Sequence, residues 1–285
     1  MDIFDKNYDR DIPSFANINL LGTCNMNCYF CLGKDLEEEF SKTKSENIHF
    51  SEWKNLDKFL LFCKRNNIKN IYITGQNTDP LLYQYLKELI EFLQKDMEFS
   101  VGVRTNGLLA AGLLDVLNLC KRTVGYTIHS FNKESYKKIT GIEIFPDWKY
   151  ILSNTKNSRV SIVVNRYNFE ELLDLIKFAA SFDNVKYIQL RRVSTDTRKD
   201  LLRLDAELFE KIAESFKKMG ESRNFAGAEI ISLFGKDVVL WRTVKTRANS
   251  FNYYTDGIFT DEYFIIEGYL KAIFGTRRED FQWRE

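Results

Sequence analysis

Residues 16–31 read ANINLLGTCNMNCYFC: a short β-rich run that passes through Gly22 straight into a loop holding Cys24, Cys28 and Cys31. Working outward from it, five more short β-rich runs recur at 70–74, 99–104, 124–128, 160–164 and 187–191. Between them lie segments whose apolar residues return at three and four positions, predicting helices over 51–66, 81–94, 109–120, a broken stretch at 133–153, 169–181 and 205–219. Alternating β and α units of this kind pack around a parallel sheet. Six of them make an α/β fold, a partial (β/α)6 TIM-like barrel, with reactive groups at the carboxyl ends of the strands, where the βα loops converge. The cysteine loop is the first of those loops.

Composition narrows the class. The 285 residues are 44% apolar and 28% charged, with no long apolar run and a charged start, MDIFDKNYDR, so a cytoplasmic globular chain is expected and no membrane association. With 41 Lys and Arg against 40 Asp and Glu there is no strong nucleic-acid signal. The polar, acidic segment 33–49 reads as an exposed excursion. After residue 222 the pattern changes: runs at 229–234 and 237–243 joined by Gly235 and Lys236 predict a β-hairpin, and 252–266 adds a strand pair around Asp256 and Gly257. The expected division is therefore a core over 1–222 and a small β-rich extension over 223–285 that covers the core's lateral gap. Trp241, Phe251, Tyr253, Tyr254, Phe259 and Tyr263 in this extension read first as the apolar face of a small sheet and second as a wall against solvent.

Five cysteines is an odd number, and three of them crowd into eight residues, which points to metal rather than disulfides. Three thiolates on one loop can hold three irons of a [4Fe–4S] cube and leave the fourth iron open. A zinc-stabilised binding module is the non-enzyme alternative, but it needs a fourth ligand, and His49 and His129 are not spaced to supply one. Cys63 and Cys120 read as buried apolar positions within helices, and no further cysteine group is present for a second cluster.

Cys-x3-Cys-x2-Cys after a first strand, with Phe30 just before the last cysteine, resembles the signature of the radical S-adenosylmethionine (radical SAM) superfamily. The resemblance implies a [4Fe–4S] cluster on Cys24, Cys28 and Cys31 and S-adenosylmethionine chelated to the open iron. Its reductive cleavage gives a 5′-deoxyadenosyl radical that takes hydrogen from a small-molecule, nucleotide or peptide substrate. It also implies an electron donor such as flavodoxin or ferredoxin.

Other motifs follow in family order. The turn Thr74-Gly75-Gln76-Asn77-Thr78-Asp79-Pro80 stands where the family has a Gly-Gly-Glu-Pro-like turn for the methionine amine; it keeps Gly75 and Pro80 and differs between them. It also reads as a plain strand-to-helix turn capped by Thr78 or Asp79. Thr105-Asn106-Gly107 resembles the Thr-Asn-Gly turn, and Thr127, His129 and Ser130 fall where relatives place groups for the cofactor's ribose and carboxylate. The expected cofactor contacts are thus Phe30, Gly75, Gln76, Asn77, Thr78, Asn106, Thr127, Asn165 and Arg191, with His129 as the candidate proton-handling residue. Strand alternation lets only one of Arg191 and Arg192 point inward, and Arg191 shares a face with Gln189. The stretches SIVVNRYNFEEL and YTIHSFNKESY are similar to viperin-type nucleotide dehydratases, whereas TGQNTDP and the C-terminal hairpin argue against close kinship.

Overall fold

A computed structural model describes residues 14–193, 199–225, 228–242 and 249–260. Eleven strands form one sheet: β1 (Ser14–Leu21), β2 (Asn70–Gln76), β3 (Ser100–Thr105), β4 (Val124–Thr127), β5 (Ser158–Val163), β6 (Val185–Arg191), β7 (Ser222–Phe225), β8 (Ala228–Leu233), β9 (Lys236–Trp241), β10 (Asn249–Tyr254) and β11 (Phe259–Thr260). The helices are α1 (Glu37–Lys42), α2 (Leu56–Arg65), α3 (Leu86–Glu91), α4 (Leu114–Leu117), α5 (Lys133–Thr140), α6 (Trp148–Asn154), α7 (Leu172–Ala180) and α8 (Lys199–Lys217).

The sheet runs β11-β10-β1-β2-β3-β4-β5-β6-β9-β8-β7. From β10 through β1–β6 to β9 every pairing is parallel; the antiparallel pairings are β11 with β10, β8 with β9 and β7 with β8, so only β11 and β8 run against the rest of the sheet. The expected α/β partial barrel therefore forms, and among the described residues its two edge strands do not meet. The predicted hairpin forms too, but its turn lies one residue earlier than expected, at Phe234 and Gly235 rather than Gly235 and Lys236; both are in the left-handed region (φ 50° and 75°), as a two-residue primed turn requires. It joins the sheet itself: β9 pairs with β6 and β10 with β1, so the described residues after 222 add strands at both ends. The part of the predicted 252–266 strand pair beyond 260, with Tyr263, lies outside the described residues.

The period of each element decides which layer it joins. On the strands, Ala16, Ile18, Ile71, Ile73, Val101, Val103, Val160, Ile162, Ile188 and Leu190 alternate outward into one core, where they meet the helices. On α2 the buried residues are Leu56, Phe59, Leu60 and Cys63, and on α7 Leu172, Leu175, Ile176 and Ala179, the same i, i+3, i+4, i+7 stripe. The other strand face is different. It turns Phe15, Asn17, Tyr72, Arg104, Arg159, Tyr187, Gln189 and Arg191 toward the concave side, as alternation requires.

Two expectations change. The 33–49 segment is not an exposed excursion: Leu36 and Phe40 are buried against Leu21 and Tyr254, because Leu36, just before α1, and Phe40 within it form an apolar pair four residues apart among the charges. The predicted helix at 109–120 shrinks to the single turn of α4, after a 3-10 turn at Ala110–Gly112.

Candidate active site

The cysteine loop is held from below by a helix end. The last carbonyls of an α-helix lack intrahelical donors, and here Thr140 and Ile139 of α5 accept the backbone N–H groups of Asn27 (2.7 Å) and Tyr29 (3.2 Å). Gly141 ends α5 at φ 73°, and a Cβ there would stand 3.1 Å from Asn27, so this glycine serves both the turn and the contact. Within the loop Cys31 N–H donates to Cys28 O at 3.0 Å.

The thiols share one neighbourhood. Burial pushes Cys24 up to about 12, and Asp79 and Cys31 nearby add to that; burial also pushes Cys28 well up, with Cys31 and Cys24 contributing. Among the described residues no three His, Cys, Asp or Glu side chains converge on a point suited to one metal ion. A cube with a thiolate on each of three irons asks for a wider spacing, and three partly buried thiols near enough to perturb one another fit it. Cys63 is buried in the helix core and Cys120 packs against it, away from the loop.

The second βα turn wraps onto the first. A Cβ on Gly75 would lie 2.0 Å from Thr78 O, so the turn closes too tightly for any other residue. Asn77 sits at φ 52° and donates its amide to Gly22 O at 3.0 Å, while Thr78 donates its hydroxyl to Thr23 O at 3.3 Å. Gln76 donates to Asn19 Oδ1 at 3.2 Å. Asp79 caps the following turn by accepting from Leu81 N–H at 2.9 Å.

Asp79 was not among the expected site residues, yet it connects the turns. Its fully buried carboxylate accepts the Thr105 hydroxyl (2.8 and 2.9 Å) and the Asn106 backbone N–H (2.7 Å). Burial raises its pKa, and the Asn106, Leu81 and Thr105 donors work against that rise. Asn106 in turn donates its side-chain amide to Asn25 Oδ1 at 2.7 Å and lies 3.8 Å from Cys24 Sγ. Beside Cys24, Asn25 Nδ2 is buried without a hydrogen-bond partner among the described residues.

On the far side, His129 Nε2 stands 3.9 Å from Cys28 Sγ, and its Nδ1 has no hydrogen-bond partner among the described residues. Burial pushes this imidazole down to about 4, so it is neutral near pH 7. Phe30 packs 5.9 Å from its ring. Thr127 ends β4 half-buried, and Ser130 is engaged with Glu171. Asn165 is buried with its amide used inside its own turn, to Val163 O (2.8 Å) and from Tyr167 N–H (2.9 Å). The structure thus brings Cys24, Cys28, Cys31, Phe30, Gly75, Asn77, Thr78, Asn106 and His129 around one loop.

Arg191 and Arg192 separate as alternation requires. Arg192 pairs outward with Glu210 of α8 at 3.3 Å. Arg191 lies on the concave face near Arg104. The strand-end positions alone do not reveal Arg159, which is 6% exposed on the same face and donates to neutral Gln189 at 3.1 Å.

A family model described as "Radical SAM superfamily" matches residues 18–179. Among curated proteins, the chain is 25% identical over 243 residues to a GTP 3',8-cyclase of Clostridium perfringens (strain 13 / Type A), covering 80% of this chain and 71% of that one. It is 27% identical over 223 residues to a probable GTP 3',8-cyclase of Saccharolobus islandicus (strain Y.N.15.51 / Yellowstone #2), covering 73% and 68%. The matched family model replaces the zinc-module reading. Among solved structures, SuiB of Streptococcus suis bound to S-adenosylmethionine superposes with TM-score 0.62 at 14% identity, over 94% of this chain and 64% of that one. Native anSMEcpe with bound AdoMet gives 0.52 at 14%, over 88% and 76%. No helix among the described residues is long and apolar enough to cross a membrane. With the matched model spanning more than half the sequence and the cysteine loop set at the head of a parallel partial barrel, the chain belongs to the radical SAM superfamily, whose enzymes use a [4Fe–4S] cluster and S-adenosylmethionine.

Proposed function

We propose that this chain acts on a phosphorylated small molecule of nucleotide type, held by its anionic end in the barrel while hydrogen is removed near the cysteine loop. When bound, the cluster and S-adenosylmethionine supply a 5′-deoxyadenosyl radical. Cys24, Cys28 and Cys31 would hold the cluster, and the turns at Gly75–Thr78 and Asn106, with Thr127, Asn165 and Arg191, would receive the cofactor. Phe30 and neutral His129 close the apolar side. A ferredoxin or flavodoxin would donate the electron.

The observation that carries the substrate reading is the concave face itself. Arg104, Arg159 and Arg191 share it; the guanidinium of Arg104 lies 4.4 Å from the Tyr72 ring centroid and 5.4 Å from that of Phe15, and its Nε is buried without a hydrogen-bond partner among the described residues. Burial, then the neighbouring Arg159, lowers Arg104 to about 10, which leaves it charged at neutral pH. Neither Arg104 nor Arg159 has an acidic partner among the described residues. Desolvated cations without counter-charge are costly, and planar guanidinium forks match phosphate oxygens. The GTP named for the curated relatives supports the same chemistry.

Reconstituted protein, supplied anaerobically with reductant and deuterated nucleotide pools, tests this. Deuterium entering 5′-deoxyadenosine from a nucleoside phosphate, with affinity for it reduced about tenfold in Arg159→Met and S-adenosylmethionine binding unchanged, is the expected result. Turnover on uncharged or peptide substrates alone would overturn it.

A further inference from the structure

Tyr29 lies between two of the three cysteines and is fixed at both ends. Its backbone N–H meets Ile139 O at the end of α5, and its hydroxyl donates to Asp205 Oδ2 at 2.8 Å on α8. The Asp205 side chain is fully buried. Its Oδ1 accepts the Arg166 backbone N–H (2.8 Å) and Nε (3.0 Å), and Oδ2 accepts Arg166 Nη2 (3.1 Å). Arg166 follows β5, and its Nη2 also reaches Leu201 O on α8. One carboxylate therefore ties together the cysteine loop, the loop after β5 and α8.

The electrostatics of its two partners suit this joint. The hydrogen bond to Asp205 holds the Arg166 guanidinium above its ordinary value, so it remains charged. Burial, then the adjacent Asp205 charge, pushes the Tyr29 phenol up, so it stays neutral and donates. Around the joint, Phe30 packs with Ile139, Val193 and Leu202, placing the start of α8 and the residues just after Arg191 against the same loop. The Tyr29 ring also meets Tyr167 edge-on at 5.7 Å.

We propose that Asp205 is a positioning residue for the cysteine loop, setting through Tyr29 how Cys28 and Cys31 present the cluster to S-adenosylmethionine. This rests on those cysteines holding the cluster. It goes beyond the substrate reading, because it assigns α8 a part in the cofactor site that neither the cysteine motif nor the strand-end turns supply. A hydroxyl bonded to a carboxylate is a charge-assisted contact. Its loss should loosen the loop without opening the apolar core.

The test compares Tyr29→Phe, Asp205→Asn and the double variant, all reconstituted anaerobically as full chains, by iron content, melting temperature, S-adenosylmethionine affinity and the electron paramagnetic resonance spectrum of the reduced cluster with and without S-adenosylmethionine. Tyr29→Phe removes one oxygen and leaves the Arg166–Asp205 pair intact, so it should fold and keep its iron. The expected result is S-adenosylmethionine affinity reduced about tenfold in each single variant, no further loss in the double, and a weakened spectral change on adding S-adenosylmethionine. A wild-type spectral response and wild-type affinity in Tyr29→Phe overturn the proposal. Retention of iron by Cys24→Ala would overturn the cluster assignment instead, and is measured alongside.

Discussion

The guanidinium of Arg159 lies flat against the backbone of Gly125 on the neighbouring strand, where a Cβ would stand 2.9 Å from its Cζ, Nε and Nη2. The two residues are register partners between β4 and β5, and Gly125 in turn pairs with Arg104 of β3. Gly102 plays the same part for Tyr72, whose ring would meet a Cβ at 2.8 Å. Two strand glycines thus make room on the concave face for a cation and for the aromatic ring beneath another.

Gly125→Ala should therefore displace Arg159 rather than break the sheet. The contacted atoms are the end of a flexible side chain, so a cost of about 1–3 kcal/mol in urea unfolding is expected. Affinity for nucleoside phosphates, read by calorimetry, should fall in parallel with Arg159→Met. Gly112→Ala, with nothing within 4 Å of its Cβ position, is the control that leaves both unchanged.

Much of this site was legible in local sequence, and the rest was not for a geometric reason. The cysteine spacing, Gly75 and Thr105-Asn106-Gly107 sit within a few residues of one another and declare themselves. Arg159 does not, because it begins β5 rather than ending it. Barrel strands are staggered, and that stagger brings the second residue of β5 level with Arg104 near the end of β3. Reading only strand ends misses it. Asp79 was legible as a cap but not as the partner of Thr105 and Asn106, since that pairing joins two strands' loops. The burial of Phe40 was hidden among the acidic residues of 37–39, although its spacing from Leu36 carried the signal.

The loop cysteines are expected to be separable from the other two by metal content. Chains purified anaerobically should carry about four iron and four sulfide. Cys24→Ala, Cys28→Ala and Cys31→Ala should each lose most of that absorbance. The Cys63→Ala, Cys120→Ala double variant should retain the cluster while losing stability, because Cys63 is fully buried and leaves a small void.

Asp79→Asn should weaken the junction between the second and third turns. An amide there presents a donor where the carboxylate now accepts from Leu81 N–H, Asn106 N–H and the Thr105 hydroxyl. Leaving buried donors unmatched costs about 1–3 kcal/mol. Because Asn106 also positions Asn25 beside Cys24, S-adenosylmethionine binding, measured by equilibrium dialysis, should weaken even at temperatures where the variant is fully folded.

The acid limb of stability should trace in part to Glu229 on β8, far along the sheet from the cysteines. Burial alone would raise its carboxyl, but Lys217 at the end of α8 (2.6 Å) and Arg242 just after β9 outweigh it and hold the group below 4.5. A carboxylate whose folded value is depressed binds fewer protons folded than unfolded. Its contribution is therefore present above the unfolded value and is lost as pH falls through the folded one. The group is 27% exposed, so solvent screening limits the effect to about 1 kcal/mol. Glu229→Gln should accordingly be less stable than the parent chain at pH 7 by about that amount, and the difference should shrink as urea unfolding is repeated at falling pH below 4.5. Lys217→Met should show a smaller convergence, because Arg242 still pairs with Glu229 and keeps part of the same linkage.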